Sequence, residues 1–163
     1  MSSELRVNRI IPVNGVPTGG GGGIIQIVNA TYTTAVNSTA TGVTDIFSAS
    51  ITPTSSSNKI MVIATSNLYI NRGTAQFPSV GLVLKRGATT VSLADQGRFY
   101  FDNRSFGTLF GQQLVPATLT ILDSPATTSS TTYTLAYTAS FSSGSCIIGI
   151  ESPSTLCLME VSG

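Results

Sequence analysis

The chain has 163 residues, a net charge of +1 and charged side chains at only 9% of positions. That length suits one domain with a short extension, and so few dispersed Lys and Arg leave no basic stripe for nucleic acid. Histidine is absent, which removes the commonest metal ligand and the commonest general base.

The polar surface comes from hydroxyls instead, 22 Ser and 23 Thr. Thr, like Val, Ile, Tyr and Phe, suits a pleated, half-buried surface, so the chain is read as all-β. Low charge with a positive mean hydropathy leaves little to keep surfaces apart in water. The expected resolution is a homo-oligomer, with much of the surface covered by identical neighbours. No stretch approaches the ~20 apolar residues of a membrane span, so no membrane insertion is expected. The first residues, MSSELRVNRIIP, lack a continuous apolar segment with a cleavage site, and no secretory signal is expected.

Residues 1–18 carry a small apolar pattern, Leu5, Val7, Ile10, Ile11, Val13 and Val16, broken by Pro12, Pro17 and Asn14-Gly15. The pattern allows one short strand and a turn, too little to fold alone, so this arm must dock on another surface. Gly19 to Gly23 follow without interruption. Glycine loses the most backbone entropy on ordering and packs nothing, so residues 19–23 read as a tether with a root-mean-square reach of about a nanometre. A phosphate-cradling loop would need a strand before the glycines and a helix after them, with Lys-Ser/Thr or fixed Gly spacing. Here no Lys or Arg occurs from Val13 to Asn58, and the run leads into Ile24, Ile25, Ile27 and Val28.

From residue 24 to 163 short apolar runs alternate with turn residues, the mark of a sandwich or barrel. Strands are predicted at 24–34, 43–51, 59–71, 80–85, 90–93, 98–102, 108–112, 114–122, 132–140, 146–151 and 155–161. No segment holds a helical period. GLVLKRGATTVSL places Arg86-Gly87-Ala88 between two β-prone runs, which predicts a hairpin whose Gly supplies positive φ. In RFYFD, Phe99 and Phe101 share one face, and Arg98, Tyr100 and Asp102 the other. ITPTSSSNKIMVIATS and LDSPATTSSTTYTLAYTAS echo each other, each passing through Pro and a hydroxyl string into a long strand. Hydroxyls bond neighbouring backbone in turns, so the echo reads as repeated loop chemistry, with an internal duplication as the alternative. Eleven short strands and two such crossings predict a jelly-roll-like antiparallel β-sandwich. Cys146 and Cys157 lie in apolar runs and read as buried free thiols.

No catalytic constellation emerges. The seven carboxylates, Glu4, Asp45, Asp95, Asp102, Asp123, Glu151 and Glu160, are dispersed, and none stands out as half of a glycosidase pair. No GxSxG elbow occurs, and Lys59 and Lys85 are the only lysines. The chain is read as no enzyme, with no cofactor and no metal. The segment ADQGRFYFDNRSFG is richest in charge and aromatics. Its Arg98, Tyr100, Asp102 and Arg104 form a candidate receptor or inter-subunit face; the bland alternative is an amphipathic strand whose charges pair with a neighbour.

Five stretches, ELRVNRIIPVNGVPTGGGGGIIQIV, SITPTSSSNKIMVIATSN, GLVLKRGATTVSL, TILDSPATTSSTTYTLAYTAS and TLCLMEVSG, carry a resemblance. In that order the chain resembles virion structural proteins of tailed bacteriophages, in particular the short tail-fibre and appendage proteins of marine and cyanobacterial phages. The likeness spans essentially the whole length and is weakest over residues 71–113. It implies a non-enzymatic, homotrimeric fibre or knob on the particle surface. Residues 1–18, with Leu5, Val7, Ile10, Ile11 and Val13, would attach to other virion proteins, and the β domain would face a host-surface glycan or protein. The glycines would then absorb the symmetry mismatch between particle and trimer, or lie ordered on the trimer axis. A free jelly-roll lectin and an enzyme acting on surface polysaccharide are the competing readings.

Overall fold

The computed structural model describes residues 23–71, 79–92, 98–100, 112–140 and 144–163. They form eleven strands: β1 (Ile24–Tyr32), β2 (Val36–Ser38), β3 (Gly42–Ile51), β4 (Lys59–Asn71), β5 (Ser79–Arg86), β6 (Thr89–Thr90), β7 (Arg98–Tyr100), β8 (Gln112–Asp123), β9 (Thr131–Ser140), β10 (Ser145–Ile148) and β11 (Ser154–Val161). No helix occurs among the described residues. The first sheet runs β1-β11-β4-β10-β2 with β8 on the other edge of β4, and the second runs β3-β9-β5-β6 with β7 also on β5.

Three strand positions are split into collinear pieces. β1 and β2 lie in line beside β11 and β10, β11 and β10 share one edge of β4, and β6 and β7 share one edge of β5. Merging each pair turns eleven strands into eight positions, four per sheet. Numbered along the chain, they give the orders 1-8-3-6 and 2-7-4-5. That is a jelly roll, in which a two-stranded ribbon folds over the edge of the sandwich. The ribbon is visible in the register: β3 pairs β9 in the second sheet, β4 pairs β8 in the first, and residues 52–58 and 124–130 carry the two chains across in opposite senses. The sequence echo marks these two crossings.

Alternation builds the core. In β11, Leu156, Leu158 and Glu160 point inward while Thr155, Cys157 and Met159 point out. Ile60, Val62, Ala64, Leu68 and Ile70 of β4 join Val80, Leu82 and Leu84 of β5 and Tyr133, Leu135 and Tyr137 of β9 in one buried cluster. Each such aliphatic side chain contributes roughly 1.5–3 kcal/mol by leaving water.

Several boundaries differ from expectation, for local reasons. The predicted strand 24–34 stops at Tyr32 and resumes as β2, because its partner is broken at the same level. There the predicted strand 146–151 ends at Ile148, where Gly149 and Glu151 take φ of 76° and 62°. A Cβ on Gly149 would stand 3.0 Å from Ser154 Oγ, so the break requires glycine. The break is pinned by β4: Gly149 N donates to Asn67 O at 2.8 Å, and Asn67 Nδ2 donates to Ile150 O at 3.1 Å. The predicted strand 90–93 is the short β6 instead. The hairpin is as expected, with Gly87 at φ 55° and Arg86 paired to Thr89. Cys146 is buried, whereas Cys157 is half-exposed on the outer side of β11. The predicted strand 108–112 lies, but for its last residue, outside the described residues.

Register also assigns the ends of the sandwich. Lys59 pairs Val161, Ile60 pairs Asp123, Ile51 pairs Thr131 and Arg86 pairs Tyr133. One end, the near end, therefore holds both crossings, the 87–88 hairpin, the entry into β1 and the end of β11. At the opposite, far end the chain leaves β2, β4, β7 and β9 and enters β3, β5, β8 and β10.

Candidate functional site

Polar residues from separate stretches meet at the near end in two clusters. The first surrounds Glu160, whose place in the inward phase of β11, between β1 and β4, puts a carboxylate inside the sandwich at its near end, fully buried. An unpaired carboxylate there would be costly. Four hydrogen bonds meet it: Oε1 accepts from Asn58 Nδ2 at 2.6 Å, from Thr54 N at 2.7 Å and from Thr54 Oγ1 at 2.8 Å, and Oε2 accepts from Gln26 Nε2 at 2.6 Å. Burial alone would raise its pKa, but these donors outweigh burial and hold the carboxyl down to about 2. The donors are themselves anchored. Asn58 Nδ2 also reaches Thr54 Oγ1 at 3.2 Å, Gln26 Nε2 reaches Thr52 O at 2.7 Å, and Gly163 N donates to Asn58 Oδ1 at 3.3 Å. The cluster ties β1, the 52–58 crossing and the end of β11 together.

The second cluster centres on Asp123, the last residue of β8. Arg86 Nη1 donates to its Oδ1 at 3.0 Å and its Oδ2 at 2.7 Å and to Ser124 O at 3.2 Å. Tyr133 Oη donates to Asp123 Oδ2 at 2.6 Å. The Tyr133 hydroxyl is pushed well above the ordinary phenol range, first by burial and then by that bond to Asp123. Gly87 N adds a bond to Thr132 O at 3.0 Å. This cluster fastens the hairpin to the 124–130 crossing. Beside it lies an open cleft of about 400 Å³ lined by Arg86, Gly87, Pro125, Thr127, Ser130, Thr131 and Thr132. Its lining offers hydroxyls and no aromatic platform, and Arg86 Nη1 is already bound to Asp123.

A surface pair, Lys85 Nζ to Asp45 Oδ1 at 2.8 Å, crosses the outer side of the second sheet. Exposed pairs of this kind are worth up to about 1 kcal/mol. Among the described residues no three His, Cys, Asp or Glu side chains gather to hold a metal.

The candidate attachment residues Leu5, Val7, Ile10, Ile11 and Val13 lie outside the described residues. Of the candidate face, Arg98 and Tyr100 bound β7, on the outer edge of the second sheet beside Gly81 and Ser79; Asp102 and Arg104 lie outside the described residues. Gly23, read as the end of the tether, accepts a bond at its carbonyl from Ser162 N at 3.2 Å and so belongs to the sandwich edge.

Sequence reasoning passed over Glu160, finding no carboxylate that stood out. The signal was available in STLCLMEV, where strict alternation puts the acid in phase with Leu156 and Leu158. Compared with known protein families, the chain matches none. It matches no curated protein either.

Proposed function

We propose that the chain is a non-enzymatic structural component of a tailed-phage virion: a short tail fibre, a fibre tip or a capsid-mounted appendage that takes part in adhesion to the host surface. The observation that carries this reading is the polarity of the sandwich. The chain enters from the glycine run at the near end, where Gly23 is bonded to Ser162. Strands β2, β4, β7 and β9 all end, and β3, β5, β8 and β10 all begin, at the far end. An attachment arm at one end and loops at the other is what an adhesive appendage needs. Of the charged and aromatic candidate face, Arg98 and Tyr100 bound β7, whose last residue pairs Ser79 at that far end.

The stretches that carry the resemblance to fibre proteins supply both near-end clusters. Thr54 and Asn58 come from SITPTSSSNKI, Glu160 from TLCLMEV and Gln26 from IIQIV; Arg86 comes from LKRG, and Asp123 and Tyr133 from LDSPATTSSTTYTL. The shared motifs thus read as the fasteners of one fold, and the arm ahead of them as its virion-attachment segment, with a trimer as the working assembly. The cleft beside Arg86 lies at the near end, where the chain enters β1, and so would lie on the particle side, which counts against its use as a receptor pocket.

Mass spectrometry and immunogold labelling of density-gradient-purified particles test the assignment. The expected result is the chain on particles, lost from them when residues 1–18 are deleted while the sandwich stays folded. A chain found only in the free fraction, retained on a glycan array, would replace the reading with the lectin alternative. Unfolding of the truncated chain would make the arm part of the core.

A further inference from the structure

We propose that the outward face of the first sheet is the surface on which identical copies of this chain associate. The inference rests on the oligomeric reading above and names its interface. Across this face, cross-strand register sets Ile27, Met159, Met61 and Leu122 in one row, with Cys157 and Ile63 side by side in the next. Ile27 and Leu122, at the two margins, are 59% and 51% exposed.

Three observations commit the face to a second copy. Its chemistry suits contact with further copies: among the described outward residues of β1, β4, β8 and β11, Lys59 at the near-end margin is the only charged one, so the face can be covered by neighbouring subunits without burying a charge. The hydroxyls at its centre already satisfy each other, since Thr65 Oγ1 and Thr155 Oγ1 are 2.6 Å apart, leaving their methyl groups to be covered. Its size is right. Four strands about 4.8 Å apart and some eleven residues long at ~3.3 Å each span roughly 700 Å² in projection, close to the ~800 Å² per partner of a stable interface. A single extended segment such as the chain's own arm would cover about one strand width of the four.

Cys157 sits within this face and Cys146 is buried, so the native chain carries its own reporter. The experiment combines light scattering over a dilution series with the rate of Cys157 modification by a maleimide, for the full chain and for Ile27→Lys and Leu122→Lys. Both substitutions change side chains already exposed in the subunit, and circular dichroism with urea unfolding checks that each variant stays folded. The expected result is an oligomer whose Cys157 reacts at least 10-fold more slowly than in the variants, with association weakened at least 100-fold by either lysine. A variant that keeps the parent mass and labelling rate overturns this face and leaves the fibre reading standing. A monomeric parent overturns both. A monomer whose Cys157 becomes reactive only on deletion of residues 1–18 assigns the face to the arm and overturns the proposal.

Discussion

At the near end, each crossing between sheets is tied by a carboxylate: Glu160 with four hydrogen bonds for residues 52–58, and Asp123 with Arg86 and Tyr133 for residues 124–130. At the far end, the described turn at residues 39–41 shows one exposed contact, Ala40 N to Ser38 Oγ at 3.0 Å. The near-end crossings and this far-end turn are held by different means. Where the chain folds over itself, long-range polar contacts make a single arrangement of crossings and termini far more favourable than any other. At the 39–41 turn a local bond within two residues suffices, and the sequence of that turn is free to vary with what it must touch. On the proposed reading, firm crossings at the near end and a freely varied turn at the far end would suit a protein anchored at one end and adhesive at the other.

The sharpest way to break the comparison is to remove the buried acid. Glu160→Ala leaves the Gln26 and Asn58 amides and the Thr54 N–H without their acceptor, and losses of this kind cost about 3 kcal/mol in total. Urea unfolding should show a lower midpoint with an unchanged slope; a loss below about 1 kcal/mol would mean that the cluster is ornamental to stability. A milder version uses pH. The folded Glu160 carboxyl is depressed from 4.5 to about 2, so its stabilisation is complete above pH 4.5 and is lost as pH falls toward 2. The difference in stability between the parent and Glu160→Gln should therefore shrink steadily from pH 5 to pH 2. A constant difference over that range would show that the carboxylate is not held in its ionised form by these donors.

The second cluster should respond less, because Asp123 is a strand-end residue with its side chain 13% exposed and Arg86 is 32% exposed. Arg86→Ala should cost about 2 kcal/mol by leaving a half-buried carboxylate with one fewer partner, and Tyr133→Phe about 1 kcal/mol. Because both bond the same Asp123 oxygen, the double variant should lose less than the sum of the two. Strict additivity in thermal or urea unfolding would mean that the two bonds act independently and that there is no single fastener.

Much of this fold could be read from the chain before any coordinates, because alternation and turn chemistry are local signals. The strands 59–71 and 132–140, the Gly87 hairpin and the two hydroxyl-rich crossings all follow from residues within a few positions of one another. What could not be read was pairing. That the β1–β2 and β10–β11 breaks fall at the same level depends on Gly149 meeting Asn67 of β4, a contact set by the jelly-roll order and not by any local pattern. Glu160 shows the same limit from the other side. Its inward phase was legible, but its meaning depends on Asn58 and Thr54, a hundred residues away in sequence. The candidate face at Arg98 and Tyr100 was legible as composition alone, and the structure adds its position on an edge strand leading into the far end.

The smallest effect is expected at the turn that joins β2 to β3. Ser38→Ala removes the hydroxyl that accepts from Ala40 N, but both groups are exposed, so water replaces the bond and the net loss should be a few tenths of a kcal/mol. The substitution also leaves Cys146 paired to residue 38 through the backbone, so the register of β2 against β10 has no reason to move. Hydrogen exchange of the 36–38 amides should match the parent within a factor of about three. A loss above about 1.5 kcal/mol would mean that this far-end turn is fastened as firmly as the near-end crossings. The division between a fixed end and an adaptable one would then have to be abandoned, because a turn that carries that much stability could not be varied freely to suit a surface.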